Sequence, residues 1–335
     1  FTAKLYTGNA SDSSTTQVVT TDIQPDLVWM KCRSDATSHR LQDIVRGVNS
    51  SLYSDTTGAE TDQTGSDITT FGSTSFTLTG QGAGTNRSGR TYAAWNWKAN
   101  GSGSSNTNGT INTTATSANV DAGFSISTYT GTGSAATIGH GLSKAPDLII
   151  VKKRSATGTW VVYHSSNTAA PETDILALDE SEATYDNAAY WNDTAPTASV
   201  FSVGTSTNTN ASSATFVNYN WHSVDGYSKV GSYTGNADAD GTFVYTGFRP
   251  KFILTKNSSA SNTSWVLTDT SRSTYNVTSN ALMADVSTAE QAYTYFDITS
   301  NGFKARNSSS WVNGSGNTII YLAFAETPFK YSNAR

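Results

Sequence analysis

The sequence is poor in charged residues, cysteine and long apolar runs. Only 14% of its 335 residues are charged, one is cysteine, and the longest apolar runs, such as the one that begins at Leu148, have the length of a β-strand. Because a membrane helix needs roughly 20 apolar residues, membrane insertion is not expected. The single cysteine, Cys32, allows no disulfide within the chain, so stability must come from packing or assembly.

The chain also lacks the charges and ligand pairs of two further protein classes. Its net charge is −5 with a pI near 5.3, whereas proteins that bind nucleic acid usually present a basic surface. The four histidines and the one cysteine are dispersed, without the paired spacing of a zinc site. We therefore predict no nucleic-acid partner, no metal and no cofactor.

Hydroxyl and aromatic side chains are abundant instead. Serine and threonine supply 46 and 52 residues, and there are 8 Trp, 16 Tyr, 13 Phe and 27 Gly. Disordered chains usually have few aromatic residues, so this polar chain is expected to fold. Threonine and aromatic residues favour strands, and glycine favours turns. The composition predicts an all-β protein. Since the chain starts at Phe1 and not at Met, we expect a processed chain or part of a longer one.

Three kinds of landmark recur three times in the same order. The first is a Tyr-Thr-Gly triplet; 17 to 19 residues later comes a proline followed by an apolar run that ends in lysine; a phenylalanine, an asparagine and a terminal aromatic residue follow. In chain order they are Tyr6, Pro25–Lys31, Phe76, Asn86 and Trp97; Tyr129, Pro146–Lys152, Phe201, Asn210 and Trp221; and Tyr233, Pro250–Lys256, Phe303, Asn313 and Phe324. This order indicates a repeat of domain size.

The repeat predicts three tandem antiparallel β-sandwich domains with a jelly-roll-like arrangement, over residues 1–98, 123–224 and 225–335. Residues 99–122, rich in Gly, Ser, Asn and Thr, are predicted to be a flexible linker or an exposed strand pair with long turns. The proline-led runs should be central strands that are buried on both faces. Helix is expected only in minor patches, at Leu41–Val45 and Ser279–Ala292.

Several short sequence motifs, spread over nearly the whole chain, are distinctive. They are Pro25–Lys31, Ser38–Leu41, Asp43, Val45–Gly47, Ser51–Thr57, Tyr190–Thr194, Gly226–Lys229 and Ala323–Tyr331. Together they resemble a recurrent module of bacteriophage tail and fibre proteins that is frequent in phages of marine bacteria. The resemblance implies a virion protein that faces the host, and for a fibre it implies a homo-oligomer, most plausibly a trimer. It supplies no catalytic or binding residues.

Catalytic and calcium-binding patterns are weak. No nucleophile elbow or phosphate-binding loop occurs, and Asp174, Asp179, Glu180 and Glu182 are the only carboxylates that suggest a glycosidase pair. Asn236–Gly241 matches half of a calcium loop, but Gly247 stands where the loop needs a bidentate glutamate, so a turn is favoured. We expect no enzymatic activity.

Glycan binding suits the composition better. Tyr190, Trp191, Asn192 and Asp193 offer a ring for stacking on a sugar together with amide and carboxylate partners, although Trp191 could instead be a packing residue. Two other tryptophans, Trp160 and Trp265, occupy equivalent places in two repeats, which favours core packing. Asn86, Asn210 and Asn313 are interpreted as turn residues, because asparagine tolerates a left-handed backbone.

These observations predict an extracellular virion protein of a phage, a tail-fibre or receptor-binding protein. It would attach without catalysis to a bacterial surface glycan or protein, and would contact itself and other virion proteins. One alternative is a structural subunit of the head, tail or a filament, with no ligand. A minor alternative is a depolymerase of surface polysaccharide.

Overall fold

The computed structural model describes residues 1–328, and this part of the chain is almost entirely antiparallel β-structure. The all-β prediction is confirmed. Residues 329–335, which belong to the predicted third domain and include the end of the last of these sequence motifs, lie outside the described residues. We call residues 1–98, 123–224 and 225–328 segments one, two and three.

The strands are numbered along the chain. Segment one contains β1 Thr2–Thr7, β2 Thr16–Thr20, β3 Leu27–Cys32, β4 Arg40–Asp43, β5 Ser50–Ser51, β6 Thr61–Asp62, β7 Asp67–Phe71, β8 Ser75–Thr79 and β9 Thr91–Trp97. Next come β10 Ala115–Asn119, β11 Phe124–Thr130, β12 Ala136–Gly139, β13 Leu148–Lys153, β14 Val161–His164, β15 Asp174–Ala177, β16 Tyr185–Asp186, β17 Val200–Val203 and β18 Thr215–Trp221. Segment three contains β19 Ser228–Thr234, β20 Phe243–Tyr245, β21 Pro250–Asn257, β22 Val266–Asp269, β23 Leu282–Met283, β24 Phe296–Thr299, β25 Gly302–Ala305 and β26 Thr318–Ala325.

The helices are short. They are α1 Ala188–Trp191, α2 Thr207–Asn210 and α3 Ser310–Asn313, with one 3₁₀ turn at Pro171–Thr173. The two predicted helical patches were wrong, because they contain β4 and β23. Both strands are short and mostly buried. Their apolar residues are explained by burial within a sheet and do not indicate the apolar face of a helix.

The three largest sheets contain the same succession of strands. The orders are β1-β9-β3-β4, β11-β18-β13-β14 within a seven-stranded sheet, and β19-β26-β21-β22 within a five-stranded sheet. In each, the Tyr-Thr-Gly strand pairs with the last strand of the segment, which pairs with the proline-led strand. The proline-led strands β3 and β13 are buried at every position, as predicted, and β21 is buried at every position except the half-buried Lys251. Each segment also has a smaller sheet, namely β2-β8-β7, β12-β17 or β20-β25-β24.

One apolar core joins all three segments. It contains residues such as Trp29, Trp160 and Trp265 from the three segments in turn. The terminal aromatic residues meet inside it, with Trp97 centred 6.1 Å from Trp221 and 5.8 Å from Phe324. Trp160 and Trp265 are buried, as predicted. Because each inner sheet face is covered by the other segments, the segments depend on one another for their packing.

One set of polar contacts runs around this core in one direction, in which each segment reaches the preceding one and segment one reaches segment three. The indole N–H of Trp95 donates to Asp269 at 3.0 Å, the Tyr219 hydroxyl donates to Asp43 at 2.7 Å, and the indole N–H of Trp265 donates to the carbonyl oxygen of Ala177 at 2.8 Å. Asp43 and Asp269 also each bind an arginine three residues on, so both carboxylates are paired.

The landmark lysines follow the same direction. Their ammonium groups donate to backbone carbonyls of the neighbouring segment, Lys31 to Ser287 at 3.1 Å, Lys152 to Thr57 at 2.9 Å and Lys256 to Ser181 at 3.0 Å. Burial lowers the pKa of each of these lysines to about 8. The lysine that ends each apolar run therefore links its own segment to a neighbouring segment by a hydrogen bond.

The tyrosine, glycine and asparagine landmarks hold one loop in each segment. The hydroxyls of Tyr6, Tyr129 and Tyr233 donate to the carbonyl of the residue before the landmark asparagine. The asparagine side chains are buried, and their Oδ1 atoms accept the backbone N–H of Asn9, Thr132 and Asn236. Asn86 lies in a turn, as predicted, whereas Asn210 and Asn313 are the last residues of α2 and α3, and none of the three has the left-handed backbone that the prediction invoked. They are buried cross-links between two loops.

Residues 99–122 are packed on segment two. Their strand β10 extends the seven-stranded sheet by pairing with β11. Ile111 is 7% exposed and forms a parallel bridge with Ile138 of β12. Residues 99–122 therefore cover the outer edge of β12, and the description as a flexible linker does not fit them. Within residues 1–328, no helix has the length and apolar character needed to cross a membrane.

Candidate functional site: an exposed aromatic groove

Exposed aromatic rings are concentrated in segment three. Of the five largely exposed rings in residues 1–328, four are Phe243, Tyr245, Tyr275 and Tyr293, and the fifth is Tyr185 of segment two. Exposed aromatic rings away from a core are common at binding surfaces, because a rigid ring offers a large contact area at little entropic cost. Segment three therefore presents most of the aromatic surface that is open to a ligand.

An aromatic groove lies at one of these rings. It has a volume of about 360 Å³ and is lined by Tyr293, Tyr295, Asn307, Ser308, Ser309 and Trp311. The ring of Tyr293 is centred 5.5 Å from Tyr295 and 6.2 Å from Trp311, and its plane is tilted by 58° to the indole. The groove thus combines ring faces of different orientation with hydroxyl and amide groups.

A short helix presents Trp311 in this groove. The Ser309 hydroxyl accepts the backbone N–H of Trp311 and begins α3 as its N-cap. The Asn307 side chain accepts the backbone N–H of Ser309 at 3.0 Å and fixes the approach to the helix. The next residues, Val312 and Asn313, are buried, and the half-exposed Trp311 itself packs with one side against the core of segment three.

The other two segments have different residues at the position of Trp311. Counted two residues back from the landmark asparagine, segment one has Gly84, segment two has Asn208 and segment three has Trp311. Asn208 also lies in a four-residue helix, α2, whose N-cap is a serine. Because the same local structure forms there around a small polar side chain, the fold does not require a tryptophan at this position.

The groove is uncharged. None of the six described residues that line it is charged, and the neighbouring Arg306 lies 3.4 Å from Asp297 and 3.6 Å from Asp240. Burial raises the pKa of the Tyr295 hydroxyl, which stays neutral near neutral pH. These groups suit an uncharged ligand with an apolar face and hydroxyl groups.

The four residues predicted as the glycan site are not arranged for stacking. Trp191 is only 2% exposed and packs edge-on against Tyr163 and Phe201. Tyr190 is also buried in the same cluster. Asn192 ends α1 in a left-handed conformation with φ 56°, and the exposed Asp193 follows it. The structure therefore gives Trp191 a packing role, and its ring is not available to a sugar.

Three of the four candidate glycosidase carboxylates do come together. Asp179, Glu180 and Glu182 line a cleft of about 500 Å³ with Asp285, whereas Asp174 is bound to Thr168 elsewhere. Burial raises the pKa of Asp179 and of Asp285 to about 6. Both, however, accept a backbone N–H, from Trp160 and Trp265, and Asp55 does the same for His39 in segment one. This threefold recurrence favours a structural role.

The half calcium loop forms turns. The side chains of Asn236 and Asp238 each accept the backbone N–H two residues on, and Asp240 is paired with Lys304. Within residues 1–328, no cluster of three or more His, Cys, Asp or Glu side chains is placed to hold a metal ion. The favoured interpretation as a turn agrees with these contacts.

The aromatic groove itself was missed at the level of sequence. Tyr293 and Trp311 are 18 residues apart and share no motif. The available signal was the difference between repeats, since an aligned position that holds Gly, Asn and Trp in turn is not a core position. That comparison singles out Trp311 without a structure.

Comparisons with known proteins add one finding. Residues 1–328 match one protein family, which is described as Domain of unknown function (DUF7483). No curated protein matches the sequence.

Proposed function

Since the chain belongs to the DUF7483 family, whose description gives no activity, its function has to be argued from its site, and we propose that it is a phage virion protein that binds a bacterial surface glycan without catalysis. Its role would be that of a tail-fibre or receptor-binding protein. The observation that carries the proposal is the groove around Trp311, a tryptophan at a position where the fold does not require one.

The chemistry of the groove fits a sugar. One face of a pyranose carries C–H groups, whose partly positive hydrogens are attracted to the negative face of an aromatic ring. Tyr293 and Trp311 supply such faces, while the hydroxyls of Ser308 and Ser309 can exchange hydrogen bonds with sugar hydroxyls. Sites of this kind combine apolar walls with a few placed polar groups.

The proposal includes an architecture for the virion. The repeated strand order and landmark contacts support three β-sandwich units that share an inner core, and the likeness to phage tail modules supports a place on the particle surface. Assembly into a homo-oligomer, such as a trimer, and contact with other virion proteins would multiply weak sites into tight attachment.

A depolymerase is the second candidate, because Asp179, Glu180 and Glu182 line one cleft. It requires that Asp179→Asn and Glu182→Gln each abolish cleavage of a surface polysaccharide that the wild type cleaves. Cleavage retained in both variants would remove this candidate.

An array of bacterial surface polysaccharides, probed with purified chain, tests the binding proposal. We expect wild type to bind at least one glycan and Trp311→Asn, which installs the residue of segment two, to lose at least tenfold in affinity. The matched control is Tyr275→Ser, which removes the most exposed ring of the same segment and should bind normally. Equal binding by Trp311→Asn and wild type would refute the site, and no binding to any glycan would favour a structural subunit.

A further inference from the structure

We infer that segment three has a second glycan-contact site, in a cleft beside Tyr245, so that one chain binds its ligand at two places. The inference rests on the proposed glycan-binding function and extends it. The cleft has a volume of about 350 Å³, and its lining includes Tyr245, Lys229, Asp225, Ser223 and Gly247. It shares no lining residue with the Trp311 groove.

Tyr245 is presented as an open ring. It is 56% exposed on strand β20, and Phe243, two residues earlier on the same face, is 45% exposed. Their cross-strand partners in β25 are Gly302 and Lys304. The glycine opposite Tyr245 has no side chain, and the tip of the Phe243 ring lies 3.2 Å from where its Cβ would stand, so Phe243, Gly302 and Tyr245 form one exposed aromatic surface on this face of the sheet.

The polar groups of the cleft supply both donors and an acceptor. The ammonium group of Lys229 lies 5.6 Å from the centre of the Tyr245 ring and donates to the Tyr245 carbonyl at 3.2 Å. An ammonium group has three donors, so two remain for a ligand. The exposed carboxylate of Asp225 is an acceptor. One positive and one negative side chain favour a neutral, hydroxyl-rich ligand over an anionic one.

The other segments show that these aromatic rings are not required by the fold. The buried pairs Val19–Phe76, Ile138–Phe201 and Val244–Phe303 align the three outer sheets. In this alignment Tyr245 corresponds to Thr20 and Gly139. In segment two, the side chain of Asn106 from residues 99–122 packs against Gly139, so another part of the chain occupies the place of the ring there. Segment three has an uncovered ring at the same place.

Two sites on one segment have a consequence for affinity. For a polysaccharide long enough to span both sites, one sugar in the Trp311 groove brings a second sugar of the same chain to the Tyr245 cleft at a raised effective concentration. The loss of either site should therefore weaken polysaccharide binding more than it weakens binding of a single sugar. This difference separates two cooperating sites from one.

Amide NMR spectra with methyl glycosides of glucose, galactose and N-acetylglucosamine test the inference. In wild type we expect at least one glycoside to shift both the Gly247 amide signal and the Trp311 indole signal. Tyr245→Thr, which installs the residue of segment one, should abolish the Gly247 shift and keep the indole shift. Trp311→Asn should keep the Gly247 shift. Melting temperatures of both variants verify that they are folded.

The outcomes separate this inference from the proposed function. An indole shift without any Gly247 shift overturns the second site and leaves the first. A Gly247 shift that persists in Tyr245→Thr overturns the role of the ring. A Gly247 signal that moves with protein concentration in the absence of sugar identifies a contact between copies and overturns the inference. If neither signal moves with any glycoside, the second site and the binding proposal both fail.

Discussion

Segments two and three have the same strand order and the same loop cross-links, but their outer surfaces differ. In segment two, residues 99–122 cover the edge of β12, and Trp191 at the end of α1 is buried in the core. In segment three the corresponding strand β20 carries two exposed rings, and Trp311 borders a groove. The comparison teaches that the landmarks specify the common strand order and loop contacts, whereas the residues between them decide which aromatic rings are exposed.

The largest expected effect comes from the buried tryptophan of segment two. Trp191→Ala leaves a cavity among Tyr163 and Phe201, so we expect a loss of about 3–5 kcal/mol in the free energy of unfolding. Urea titration followed by circular dichroism measures it. Glycan binding by the folded fraction should be unchanged. A stable variant that has lost binding would instead restore Trp191 as a ligand residue.

A transplant between the segments should have the next largest effect. Gly139→Tyr gives segment two the ring of segment three, but a side chain at this position would meet the amide of Asn106 at 2.2 Å. We expect a loss of about 1–3 kcal/mol as residues 99–122 are displaced from β12. Hydrogen exchange should then show faster exchange at Ile111. Exchange and stability equal to wild type would contradict the assignment of residues 99–122 as a cover.

The lysine contacts predict a pH dependence that is common to the segments. Since the folded pKa of Lys31, Lys152 and Lys256 is about 8 and the unfolded value about 10.5, the unfolded chain binds more protons between these pH values. The three lysines therefore make stability rise with pH from about 8 to 10. Lys152→Met should reduce this rise by about a third, because it removes one of three equivalent groups. Urea unfolding at several pH values measures the slope. An unchanged slope would show that Lys152 is not titrated by unfolding.

The smallest expected effect on stability is that of Trp311→Asn. Asn208 occupies this place in segment two, but Trp311 is half-buried against the core of segment three, so we expect a loss of about 1 kcal/mol in the free energy of unfolding. The same urea titration measures it, with Trp191→Ala as the contrasting variant. A loss as large as that of Trp191→Ala would make Trp311 a packing residue and remove the reason for a site there.

Much of the strand arrangement that the segments share could be predicted from the sequence. The alternation of apolar residues and the proline-led runs indicated strands, and the burial of β3 and β13 on both faces followed from their continuous apolar character. The shared core could not be predicted in the same way. The pattern at Trp29 or Trp160 shows that a face is buried, but not which segment covers it.

The site was harder to predict, because local sequence does not determine exposure. Tyr190-Trp191-Asn192-Asp193 has the composition of a sugar site, yet α1 turns the indole into the core. Tyr293 lies just before β24 and Trp311 lies in α3, so the two rings come together only in the folded chain. A difference between aligned repeats is a better guide here than a cluster of suitable residue types.

The most direct measurement of the proposed role is immunogold electron microscopy of intact phage particles that carry this chain, with antibody raised against it. We predict label at the distal tail appendages, where a protein that binds bacterial glycans would meet the host. Label over the head or along a filament would contradict this role, and the aromatic rings of segment three would then be contacts between subunits.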